Sequence, residues 1–163
     1  MKAIGGLFLF VSLLISSGKL LAETGPTGKP TTAPAFLGLT LLGNPSLSFS
    51  TVSHYQNGVS VDHATVNLSV ALGVAWSLQI RALDDLRYQS NSIPVSSIGV
   101  QSINLATRPE IFLSTTNQTL STGLAAALFS RDVTIRYRAV GGTPFLKPGG
   151  TYTTTLVISY TAL

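Results

Sequence analysis

Apolar residues recur along this chain with a period of two over most of its length, the spacing that sends alternate side chains to opposite faces of a strand. The stretch from Pro148 to Leu163 carries the pattern most fully. Pro148-Gly149-Gly150 reads as a turn, because proline presets φ and glycine tolerates positive φ. After it, Tyr152, Thr154, Leu156, Ile158 and Tyr160 fall on one face, and Thr153, Thr155, Val157 and Ser159 on the other. These are β-branched and aromatic types, with no charge from Thr151 onward, so the strand belongs inside a sheet; left bare it would be an aggregation site.

Earlier segments repeat the theme. Val74, Trp76, Leu78, Ile80 and Ala82 point one way, while Ala75, Ser77, Gln79 and Arg81 point the other, which predicts a core face and a solvent face with the single tryptophan buried. Val133, Ile135, Tyr137 and Ala139 mark a penultimate strand, Val66, Leu68 and Val70 another, and residues 47–52 alternate cleanly. Residues 36–42 read as a strand with Leu37, Leu39 and Leu41 on one face. Turns are expected at residues 43–46, at the Asn57-Gly58 pair and at residues 141–144. Residues 86–92 look like a polar connection, Pro94 limits residues 93–95 to a sheet edge, and residues 98–105 suit a short strand. A helical turn fits residues 124–129. The pattern predicts an all-β fold, a single antiparallel Ig-like β-sandwich of roughly seven to nine strands over residues 36–163. Its expected core is Phe49, Trp76, Leu78, Ile80, Ile135, Tyr137, Leu156 and Ile158.

The N-terminal stretch breaks the pattern. Lys2 precedes an apolar run over residues 5–15, and Leu20-Leu21-Ala22 ends it with a cleavage site. The run is too short to cross about 30 Å of hydrocarbon as a helix. Residues 1–22 are therefore expected to be a cleaved secretory signal peptide, placing the protein outside the cell, on its surface or in the periplasm. Residues 23–35 hold three prolines and two glycines in thirteen positions, the composition of an extended arm. Loss of Lys2 and Lys19 lowers the net charge from +4 to +2, eight bases against six acids. That balance excludes a nucleic-acid surface, which needs clustered Lys and Arg; Arg136 and Arg138 are expected to be solvated.

Candidate chemistry is sparse. The chain has no cysteine, which removes thiol catalysis and cysteine-ligated metals. The two histidines, His54 and His63, lie near Asp62 around the Asn57-Gly58 turn and form a weak candidate metal or catalytic group, short of the three or four ligands a metal needs. Asp84-Asp85 suits a strand end better than a carboxylate pair. Asn67 and Asn117 begin chance matches to the glycosylation pattern. No catalytic residue, cofactor or metal is expected, and the protein is expected not to be an enzyme.

Two resemblances bear on function. The segment Pro148-Gly149-Gly150-Thr151-Tyr152-Thr153-Thr154-Thr155-Leu156 resembles the last strand of pilins assembled by the chaperone–usher route, with Tyr160 fourth from last where that family has an aromatic next to last. The resemblance implies a terminal strand that a periplasmic chaperone binds, and a groove completed by a strand from the next subunit; here the donor would be residues 36–42. Trp76-Ser77-Leu78 is similar to the hallmark triplet of WxL surface domains, which implies attachment to cell-wall peptidoglycan. The function expected is a secreted bacterial cell-surface structural or adhesive subunit, pilin- or fimbria-like. It would meet copies of itself or related subunits through Phe36, Leu37, Leu39, Leu41, Tyr152, Leu156, Ile158 and Tyr160. The alternatives are a WxL-like module binding cell-wall polysaccharide and a secreted carbohydrate-active protein.

Overall fold

The computed structural model of the protein describes residues 7–17, 38–106 and 108–163. Among them are strands β1 (Leu7–Ser17), β2 (Gly38–Leu41), β3 (Ser46–Phe49), β4 (Val59–Val70), β5 (Ala75–Ala82), β6 (Leu86–Tyr88), β7 (Asn91–Ile93), β8 (Ile98–Ser102), β9 (Ile111–Phe112), β10 (Gln118–Leu124), β11 (Phe129–Ala139) and β12 (Gly150–Ala162). One α-helix, α1 (Val52–Asn57), lies between β3 and β4, and single 3-10 turns span Val95–Ser97 and Thr143–Phe145.

The strands form two sheets. The larger runs β10-β5-β12-β1-β3, with the β6–β7 hairpin appended to β12 beyond the end of β5; the smaller runs β2-β4-β11-β8-β9. Every pair is antiparallel except β1 on β12. This is the all-β sandwich that the period-two pattern predicts. All eight expected core residues are buried, with Phe49, Leu78, Ile80, Ile135, Leu156 and Ile158 at zero exposure. The face of β12 carrying Tyr152, Thr154, Leu156 and Ile158 is buried, as its alternation requires.

Several local expectations change. Residues 47–52 do not stay extended: β3 ends at Phe49, and α1 begins at Val52 under an N-cap from Thr51, whose hydroxyl accepts from the His54 N–H at 3.3 Å. The Asn57-Gly58 pair closes this helix and is not a hairpin turn. Gly58 sits at φ +81° with its N–H on the His54 carbonyl at 2.9 Å, so the glycine serves a C-cap. Residues 86–92 are the β6–β7 hairpin, turning through Gln89 at φ +53°. Residues 124–129 are not a helical turn; they finish β10, turn, and start β11, with Ala125 tied to Gly73 and Val74 by backbone hydrogen bonds of 2.7 and 3.0 Å. Twelve strands are described where roughly seven to nine were expected: β6, β7 and β9 hold only two or three residues each and show no period, and β1 falls in the stretch read as a signal peptide.

The chain changes layer early. β2 pairs with β4 in the small sheet, and after residues 42–45 β3 joins the large one. At the end of β3, Phe49 stacks on Phe145 at 4.8 Å and meets Tyr55 of α1 at 5.3 Å, which closes that end of the sandwich with aromatic surface.

Candidate functional site: the seam beside the last strand

In the large sheet, β12 and β3 do not pair with each other. Between them lies the backbone of β1, parallel to β12 from Leu7 opposite Gly150 to Ser17 opposite Tyr160. On its other side β1 meets β3 over four residues only, Leu7 opposite Phe49 to Phe10 opposite Ser46. The sheet is therefore continuous through β1 alone. Parallel neighbours need a long crossover, and here it spans the whole domain, since β1 and β12 lie at opposite ends of the sequence.

The β12 lip is rigidly backed. Its other side pairs with β5, Leu156 opposite Ala82 to Ala162 opposite Trp76. Where β5 ends, Thr154 donates to the Asp84 carbonyl at 2.7 Å, and the Leu83 N–H reaches the Thr155 carbonyl at 2.9 Å. Asp85 takes the Val95 N–H at 3.0 Å, so Asp84-Asp85 serves the strand end, as its adjacency suggested. The Tyr152 hydroxyl donates to the Pro148 carbonyl at 3.2 Å, and its ring meets Tyr88 at 5.5 Å. Burial pushes this hydroxyl above the usual tyrosine range, with Tyr88 adding to the shift. Gly150 is required where it stands, because a Cβ there would run into the Tyr88 ring. Tyr160, half-buried, is likewise raised by burial.

Of the expected interaction residues, Tyr152, Leu156 and Ile158 are buried on the core face of this lip. Leu39 and Leu41 are not on it. They belong to β2, paired with β4 over Gly38–Leu41, with Leu39 buried and Leu41 exposed; Phe36 and Leu37 lie outside the described residues. A strand already paired inside its own domain is not free for donation, so this part of the donor assignment is corrected. The residues that sequence reasoning missed are those of β3, Ser46 to Phe49, which form the other lip. Their alternation was visible, but not their place in the sheet.

The candidate metal group finds other partners. Asp62 accepts from Arg136 Nε at 2.7 Å and from its Nη2 at 2.9 Å, and this hydrogen bonding holds the carboxyl below its ordinary range. His63 faces Thr65 at 3.2 Å, and His54 Nδ1 accepts from the Ser50 N–H at 3.2 Å. Among the described residues, no three His, Asp or Glu side chains are placed to hold a metal ion. Arg138 is likewise paired, with Glu110; both arginines stay solvent-exposed, as expected, and each also holds a carboxylate. Asn67 bonds Asp132 at 2.7 Å. Trp76 and Leu78 of the Trp-x-Leu triplet are both inside the core.

No protein-family model matches the chain, and no curated protein matches it.

Proposed function

We propose that this chain is an exported cell-surface structural or adhesive subunit whose large sheet is completed by an added strand. The supporting observation is the position of β1, which lies wholly within the segment expected to be removed with the signal peptide. Its removal leaves the β12 edge bare from Gly150 to Tyr160 and the β3 edge bare from Ser46 to Phe49. A long edge without lysine or proline templates pairing with another chain, and main-chain hydrogen bonds supply the affinity.

The donor is then a strand from another polypeptide: a transient periplasmic chaperone, a related subunit, or the arm of a second copy. The arm suits this better than its proline content suggests. Pro26, Pro30 and Pro34 are four apart, so in an extended strand all three missing N–H groups fall on one lateral edge. The other edge keeps every donor, and beyond Phe10 the seam requires pairing with β12 only. The buried Trp76 offers no platform for a wall polysaccharide, which favours strand addition over wall binding.

The test uses the protein recovered from the exporting cell. N-terminal sequencing is expected to begin at Glu23. A peptide carrying residues 7–17 with solubilising lysines is expected to raise the melting temperature through binding to the folded state. A protein that keeps residues 1–22 and melts identically with and without peptide overturns the proposal.

A further inference from the structure

The end of the sandwich opposite the Phe49–Phe145 cluster is built from the β4–β5 and β10–β11 loops and the residue after β12, tied together. The Gly73 N–H reaches the Ala125 carbonyl at 2.7 Å, the Ala125 N–H reaches that of Val74 at 3.0 Å, and the Leu163 N–H that of Ala75 at 2.7 Å. At this end Leu72, Leu124, Leu128 and Leu163 are 67%, 69%, 61% and 74% exposed. No charged side chain occurs in residues 70–77, 122–130 or 157–163. Single exposed leucines are ordinary; four gathered at one end of the sandwich, on segments joined by backbone hydrogen bonds and free of charged side chains, are the kind of grouping that marks a contact.

We infer that this leucine-capped end is where two copies of the chain meet, end against end. The geometry rests on the strand-addition reading. β1 finishes at this end, Ser17 opposite Tyr160, and β2 starts at it, Gly38 opposite Ser69. The residues that precede β2 therefore emerge here. A strand drawn from them and laid in a second copy's seam in the direction of β1 finishes at that copy's leucine-capped end. The connection back to β2 then runs from one such end to the other and holds the two face to face. Each buries the other's leucines, and no charged side chain of these segments is set against its own copy.

The absence of cysteine makes the contact directly testable, since one introduced thiol is unique. In the exported protein, Leu128→Cys is expected to give a covalent dimer with a short bis-maleimide. Leu146→Cys, equally exposed at the opposite end, is expected to stay monomeric. Leu72→Asp with Leu124→Asp is expected to weaken dimerisation at least about tenfold, with the melting response to the residue 7–17 peptide retained. Equal crosslinking at both thiols, or unchanged dimerisation of the aspartate variant, overturns the contact. So does a monomeric protein that binds phosphatidylglycerol vesicles through these leucines, which would make the partner a membrane. Loss of the peptide response alone overturns strand addition and leaves the contact to be decided by the thiol result.

Discussion

Gly123 lies directly across the β5–β10 ladder from Trp76, and the indole occupies the space that a side chain on Gly123 would need. A Cβ at Gly123 would stand 2.7 Å from Cζ2 of the ring, whose centroid lies 6.2 Å from that of Phe129. The glycine is there to admit the tryptophan. Gly123→Ala is expected to lower stability by about 1–3 kcal/mol through overpacking, and Trp76→Ala by about 3–5 kcal/mol. Trp76→Phe should cost less than the alanine change, since it also removes an indole N–H that has no partner in the core. Urea titrations in which Gly123→Ala is neutral would refute the account.

Two glycines at positive φ differ in what a side chain would meet, and Gly58, at ψ −178°, also lies in a region that only glycine readily adopts. Gly58 and Gly73 lie at +81° and +77°; nothing stands within 4 Å of a Cβ at Gly73, whereas one at Gly58 would strike the Ala139 carbonyl. Gly73→Ala is expected to cost about 1–2 kcal/mol, the price of a left-handed alanine. Gly58→Ala should cost distinctly more. Denaturation midpoints of the two variants, compared at equal slope, check the order.

Tyr137 is fully buried, and its hydroxyl meets Thr65 Oγ1 at 3.0 Å. Thr65 also donates to the His63 carbonyl, so Tyr137→Phe leaves that group satisfied. The change should lower stability by about 1 kcal/mol, the net value of one buried hydrogen bond. Burial raises this hydroxyl well beyond the usual tyrosine range. In an ultraviolet titration one tyrosine is therefore expected to ionise only on alkaline unfolding, and Tyr137→Phe should remove that step.

Arg138 bonds both carboxylate oxygens of Glu110, at 2.7 and 2.5 Å, and lies 5.9 Å from the Phe112 ring centre. Hydrogen bonding from the guanidinium holds the Glu110 carboxyl below its ordinary range, against an opposing pull from burial. A group depressed in the folded chain stabilises it above the unfolded pKa, and the contribution disappears as pH falls through the folded value. Glu110→Gln is thus expected to destabilise at pH 7, by no more than about 1 kcal/mol for a pair this exposed, and to be neutral near pH 2. Melting curves at the two pH values give the comparison, and a larger effect in acid would reverse the sign.

How legible the fold was depended on whether the relevant forces act locally. β5, β11 and β12 were readable because burial on one face imposes alternation over seven or more residues. α1 was hidden because an Asn-Gly pair tolerates positive φ equally in a hairpin and at a helix end. The Thr51 cap three residues before His54 was the discriminating signal. Asp62 and His63 are neighbours in a strand and so face opposite ways, which is why nearness in sequence did not assemble a metal group. One lip of the seam was visible in the uncharged last strand. The other depended on β3 crossing between layers, which no periodicity encodes.

The pairing of Leu7 with Gly150 joins positions 143 apart in the chain. Synthesis releases the chain from its N-terminus, so the first strand of the large sheet can meet β3 early but waits for nearly the entire sequence before β12 exists. Contacts this distant incur the full entropy of loop closure before they return any stabilisation, and they slow folding accordingly. The small sheet is under no such delay, since β4, β8 and β11 pair over shorter separations. Its assembly is expected to come first, with the large sheet closing last around whichever strand, its own or a neighbour's, reaches β12 in time.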